Sequence, residues 1–213
     1  MPAHRFANHP RSTPGRRPVR GNAMLELALY MSVGIPMVCG LTSVGIRLGR
    51  SIQATQITRD AGHMYALGAD FTLAGTQAII QTVSGGFTLT GSGTAVLIFS
   101  RVAKVQQVDC TAAGLSNCPN LNQSVFTQRV VVGNSGLRAS TFGTPLSSYV
   151  GSKGMIASVD YCKQASLIAN GFESVLSLQP GQASWMVEGY FYMPDLNIFT
   201  AENQGGVYVR LLF

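Results

Sequence analysis

One charge in a long apolar run constrains this chain more than anything else in it. From Ala23 to Ile46 the only charged residue is Glu26, and Arg47 and Arg50 close the run. As a helix this stretch spans about 36 Å, enough for a tilted crossing of a hydrocarbon core of roughly 30 Å. A carboxylate inside such a segment costs roughly 2.5 to 3.5 kcal/mol at the helix centre, so intramembrane acids are rare and usually functional. Pro36 removes a helical hydrogen bond and predicts a kink, which a membrane helix tolerates. Gly34, Gly40 and Gly45 admit close contacts with other helices.

The charge of the chain separates at Gly21. Arg5, Arg11, Arg16, Arg17 and Arg20 precede it, and no acid does. The remaining ten basic residues stand against nine acidic ones, so the rest carries about +1. The net charge of +6 therefore reports the leader and gives no nucleic-acid-binding face. By the positive-inside rule the leader stays in the cytoplasm and everything after Arg47 lies outside.

Other processing signals fit less well. A conventional signal peptide would be cut near Thr42 to Gly45, but the apolar run is long and Glu26 is badly placed in it. A lipoprotein signal needs a small residue before its cysteine, and Val38 precedes Cys39. Arg16-Arg17 suggests a twin-arginine signal, but Pro18-Val19-Arg20 follows poorly.

Beyond the run, Ile57, Ala61, Met64, Gly68, Phe71, Gly75 and Ala78 recur at spacings of four and three, which places them on one helical face. The helix is therefore predicted to continue over residues 47–82. Gly62, Gly68 and Gly75 weaken it by about 1 kcal/mol each relative to Ala, so a break near Gly68 or Gly75 is allowed.

Strand patterns follow. Thr94 to Val105, Ser124 to Val132, Ala183 to Met193 and Gly206 to Phe213 are rich in β-branched and aromatic residues, with a glycine at or near one end of each. In the third, Trp185, Val187, Gly189 and Phe191 alternate with Met186, Glu188, Tyr190 and Tyr192. These segments predict an antiparallel sheet with one face on the helix. The aromatics Trp185, Tyr190, Phe191, Tyr192 and Tyr208 are expected to build the sheet core. The connection from Asn134 to Pro180 has no clear periodicity, and its length makes it a candidate exposed, functional loop.

The fold class is thus α+β: a long N-terminal helix, its first half transmembrane, packed on an antiparallel β-sheet head. The divisions are a basic leader over 1–21, a membrane helix over 22–46, a helical extension over 47–82 and a β-rich head over 83–213.

Candidate chemistry is sparse. His63 is the sole histidine outside the leader, and neither C-x-x-C nor H-x-x-x-H occurs, so no metal site and no cofactor is predicted. No G-x-S-x-G elbow and no phosphate-binding G-x-x-x-x-G-K-[ST] loop is present, so no enzyme is predicted. Asp70, Asp160 and Asp195 read as turn caps. Cys110 and Cys118, eight apart, read as a short-loop disulfide if the head is exported, or as two free thiols if it is not.

The order of basic leader, Gly21, Glu26, apolar helix, Gly49-Arg50 and Thr58-Arg59-Asp60-Ala61-Gly62 resembles TadE-like pseudopilins of the tight-adherence type IV pilus systems. The likeness covers about residues 17–66 and is thinner near 176–193, where Leu178-Gln179-Pro180-Gly181-Gln182-Ala183 leads to Val187-Glu188-Gly189-Tyr190; residues 84–175 carry none of it. Tyr30 and Pro36 depart from the Leu/Val-rich run common in that family. The resemblance implies a pilin-like architecture and cleavage between Gly21 and Asn22 by a membrane prepilin peptidase. Glu26 would then serve assembly, neutralising a subunit's new N-terminal amine. The implied partners are the prepilin peptidase, other pilin or pseudopilin subunits, the Tad inner-membrane assembly platform and the lipid bilayer, with no nucleic acid. The implied place is the inner membrane, and the pilus or cell surface after assembly. The second reading is a single-pass membrane-anchored binding protein that does not polymerise.

Overall fold

A computed structural model describes residues 22–193 and 205–213. The chain divides between Val44 and Gly45 into two units. The described residues of the first are helix alone. Helix α1 (Asn22–Ala66) starts there and runs through Pro36 without losing its helical assignment. In this part Met24, Leu25, Val33, Ile35, Met37, Leu41 and Val44 are all more than half exposed, so the helix is apolar all round, as in a membrane span. Its serine and threonine hydroxyls are satisfied by its own backbone: Ser32 donates to Leu29 O at 2.8 Å, Thr42 to Val38 O at 2.8 Å and Ser43 to Cys39 O at 2.9 Å. The helix is long and apolar enough to cross a membrane, with a window of mean hydropathy 1.7.

The second unit holds the last turns of α1, helix α2 (Ala74–Val83), strand β1 (Ala95–Lys104), helix α3 (Gln107–Ala112), strand β2 (Ser124–Gly133), helix α4 (Ser158–Lys163), and strands β3 (Ala183–Tyr192) and β4 (Gly206–Leu212). Helix α1 ends in a Schellman motif. Gly68 adopts φ +91°, its N–H donates to Tyr65 O at 2.9 Å, and Ala69 N–H donates to Met64 O at 2.9 Å. The helical extension expected over 47–82 therefore stops at Ala66 and resumes in α2, with the break at the first of the two glycines that allowed it. Asp70 caps the turn between them, accepting from Thr72 N and Thr72 Oγ1.

The four strands form one antiparallel sheet in the order β2-β1-β3-β4. Ala54, Ile57, Ala61 and Tyr65 of α1 pack on one sheet face, against Leu97, Phe99, Val130, Val132, Val187 and Phe191. Phe71 joins them from the turn after Gly68 and stacks on Phe99 with ring centroids 4.0 Å apart, an arrangement worth about 0.5 to 1.5 kcal/mol beyond area burial. Arg59, Asp60 and Gln56 lie on the exposed side of α1, as the periodicity predicts.

The register between β1 and β2 shifts between Arg101 and Val102. Thr127 falls out of the pairing and donates its hydroxyl hydrogen to Arg101 O at 3.2 Å. Phe126 is thereby turned to the second sheet face. That face is also covered, which corrects the expectation for residues 134–180. The connection is not an exposed loop. Phe142, Ile156, Leu167, Phe172 and Leu178 are buried against Val102, Phe126 and Met186. Its backbone is tied to the outer edge of β2, where Ile156 N donates to Thr127 O at 2.9 Å and Ala169 N to Ser124 O at 2.8 Å. Single bridges join Val125 to Ile168 and Gln128 to Met155, so this edge is blocked from pairing with another chain.

Candidate functional site

Gly21, the first half of the expected cleavage pair, lies outside the described residues, as does Asp195. Asn22 is the first residue of α1, and Glu26 is exposed in the helix's opening turns. Between Asn22 and Ile46 the helix carries no other charged residue. A helix start carries partial positive charge on its free N–H groups, which favours a carboxylate within the first turn and falls off beyond it.

The cysteines come next. Cys110 and Cys118 are joined in a disulfide, with Cα atoms 5.8 Å apart. Helix α3, which holds Cys110, is fixed by a capping box in which Gln106 N donates to Asp109 Oδ2 at 3.0 Å. Cys162 of α4 is a free, buried thiol. Its Sγ and those of Cys110 and Cys118 all lie within 4.8 Å of one another. Among the described residues this is the one cluster of His, Cys, Asp or Glu side chains close enough to share a metal ion. Two of its three sulfurs are spent on the disulfide, so no three-thiolate ligand set exists in this state. The sequence places Cys162 alone, and only the folding of α4 onto α3 brings it to the pair.

A buried polar cluster lies under the connection. Glu188, in the middle of β3, is 1% exposed. It accepts from Tyr208 Oη at 2.6 Å, Thr141 N at 3.1 Å and Thr141 Oγ1 at 2.9 Å, and from Ser140 Oγ. Arg129 Nη1 of β2 stands 4.0 Å from Oε2, the oxygen that Ser140 also meets. Arg129 also donates to Gly143 O at 2.6 Å and lies over the Phe126 ring, 4.4 Å from its centroid. Burial pulls the guanidinium down to about 10, against the pull of Glu188 in the other direction. The cluster ties residues 140–143 to the sheet. These contacts, from β2, β4 and the connection onto one carboxylate, are those of a structural pin. A charged residue at an inward position of an apolar strand is the sequence signal for it, but its partners are far away in the chain.

The aromatics divide. Phe191 is fully buried, and Trp185 packs at the margin of the helix-side core. Tyr190, Tyr192 and Tyr208 are half-buried, with Arg138 over Tyr208 at 4.3 Å and over Tyr190 at 5.6 Å. His63 is exposed on α1, edge-on to Phe213 at 5.0 Å. Asp160 sits in the first turn of α4, where a carboxylate complements the helix start.

No family model, no curated protein and no solved structure matches this chain.

Proposed function

We propose that this protein is a pilin-like structural subunit of the TadE-like kind, processed by a prepilin peptidase and acting as a minor component of a Tad-type pilus or secretion assembly. The observation that carries the reading is Glu26: one carboxylate just inside an apolar helix, behind a basic leader that ends in Gly21. Cleavage after Gly21 makes a new amine at Asn22, little more than one helical turn from Glu26. In low-dielectric surroundings such a charge pair fixes register, and losing one partner costs about 3 to 5 kcal/mol by analogy with buried pairs.

Two further features support it. Helix α1 continues past the apolar segment into turns that pack on an antiparallel sheet, as this reading requires of a pilin-like subunit. The Cys110–Cys118 disulfide suits an oxidising compartment, and so favours a head outside the cytoplasm with the leader inside. A head of this size favours a minor or tip position in the fibre, with surface adhesion as the output. The chemistry of processing belongs to the peptidase, and this chain is its substrate.

The second reading, a membrane-anchored binding protein that never polymerises, draws on the half-buried Tyr190, Tyr208 and Arg138 surface. The Glu26→Gln variant separates the two. On the assembly reading it inserts in the membrane as well as the parent but is depleted from the sheared surface fraction. On the anchored-binder reading neither the parent nor the variant enters that fraction.

A further inference from the structure

Three sulfurs converge where α3 packs on α4. The loop that carries Cys118 is hydrogen-bonded to the helix that carries Cys162. Asn120 N donates to Cys162 O at 3.2 Å, and Asn120 Nδ2 donates to Tyr161 O and Gln164 O at 2.8 Å each. Cys162 is held within 4.8 Å of both disulfide sulfurs by this brace, with no role in the disulfide itself.

We infer that Cys110, Cys118 and Cys162 form a thiol–disulfide exchange site in which Cys162 is the nucleophile and Cys118 the leaving group. Cys162 Sγ attacks Cys110 Sγ. The Cys110–Cys118 bond breaks, a Cys110–Cys162 bond forms, and the proton lost by Cys162 ends on Cys118. The step is an isomerisation: one disulfide and one thiol enter, one disulfide and one thiol leave, and no oxidant or reductant is consumed. The direction follows from burial. Cys110 is fully buried, so a thiolate leaving there would be desolvated, whereas Cys118 is part-exposed and its thiolate meets water. The product therefore presents a reactive thiol at Cys118, a modification site for a second molecule that carries a disulfide. The new bond also links α3 to α4 across a much longer loop than the present separation of 8 residues, which restrains the unfolded chain more.

The site is held back at neutral pH. Burial, and then the carboxylate of Asp109 on α3, push the Cys162 thiol up. The other titratable group against it is Tyr161 of α4, itself pushed up by burial, and Arg101 of β1 opposes that shift. Val105, Val125 and Ile168 complete the surroundings with apolar atoms.

The test uses the full chain in detergent with Cys39→Ser, so that these three cysteines are the only ones. The protein is incubated at pH 7 and at pH 8.5, treated with iodoacetamide without denaturant, quenched with acid and mapped by peptide mass. The expected product has a Cys110–Cys162 link and a label on Cys118. It forms about 30-fold faster at pH 8.5, since the thiolate fraction grows roughly tenfold per pH unit below the thiol's pKa. Recovery of the Cys110–Cys118 link alone, with Cys118 unlabelled, overturns the exchange. A label on Cys110 with a Cys118–Cys162 link overturns the assigned direction. A second variant, Cys118→Ser, is held in a glutathione and glutathione-disulfide buffer. It should form Cys110–Cys162 with an unchanged near-ultraviolet circular dichroism spectrum. Two thiols that stay reduced in that folded variant contradict the site.

Discussion

Tyr208 of β4 donates its hydroxyl hydrogen to Glu188 of β3 at 2.6 Å, although the residue paired with Glu188 across the two strands is Arg210. Arg210 instead reaches toward Thr141 Oγ1 at 3.4 Å and lies over the Phe142 ring, 4.8 Å from its centroid. Glu188 thus draws its charge partner from β2, through Arg129, and its neutral donors from β4 and the connection. One carboxylate joins three strands' worth of structure to the segment that covers them.

Replacing Glu188 strands the Arg129 guanidinium in the interior, where its Nε already has no hydrogen-bond partner among the described residues. Glu188→Ala should lower stability by about 3 to 5 kcal/mol, because an uncompensated buried charge remains. The double variant Glu188→Gln with Arg129→Met should recover much of that loss, since it removes the charge and keeps the volume. Urea unfolding read from Trp185, the sole tryptophan, measures both. A single variant within about 0.5 kcal/mol of the parent would show that the cluster is not a pin.

Gly189 marks a close approach of α1 to the sheet. A Cβ there would stand 2.5 Å from Thr58 Oγ1 of α1 and 2.8 Å from the Phe191 ring. Gly189→Ala should therefore cost about 1 to 3 kcal/mol by overpacking, and the companion change Thr58→Ala should restore part of it. Thermal unfolding of the two variants gives the comparison. An unchanged midpoint in Gly189→Ala would contradict the close approach.

Alkaline pH should unfold the head from about pH 10. Burial pushes Tyr65 well above the ordinary tyrosine range, and it pushes Tyr161 and Tyr208 up as well. The unfolded chain gives up these phenolic protons at about pH 10 while the folded chain holds them, so stability falls as pH rises from there. Arg129 works in the opposite sense, because its folded value of about 10 lies below the unfolded one. One group does not offset three. Tyr65→Phe should lose its hydrogen bond to Gln128, 3.0 Å long and worth about 1 kcal/mol at neutral pH, and should flatten the alkaline fall. Urea midpoints between pH 7 and 11.5 measure this, and a midpoint that rises above pH 10 would contradict it.

Much of the fold is legible in the chain because local and global signals agree. The four strands each have a glycine at or near one end and are built from β-branched or aromatic runs, and each lies within a residue or two of its predicted bounds. The break in the helical extension is harder to read. Phe71 keeps the helical spacing of Ile57, Ala61 and Met64, yet it is buried from a turn, so the period runs across a Schellman stop that hides it. The cover on the second sheet face cannot be read from periodicity at all. Short helical turns and single bridges place Phe142, Ile156 and Phe172, and none of these repeats at a fixed interval. The spacing of Cys110 and Cys118 allows the short-loop disulfide but selects it over two free thiols only if the head is exported, whereas Cys162 and Glu188 acquire their neighbours only through tertiary packing.

We propose that the chain is cut after Gly21 and held in the membrane by the helix that then begins at Asn22. The most direct measurement is the N-terminus of the membrane-extracted protein from its native host, by intact mass and terminal sequencing. The account predicts a start at Asn22. A start at Met1 or Pro2 would contradict prepilin processing and leave an anchored binder, and a start beyond Leu41 would identify the apolar helix as a conventional signal peptide.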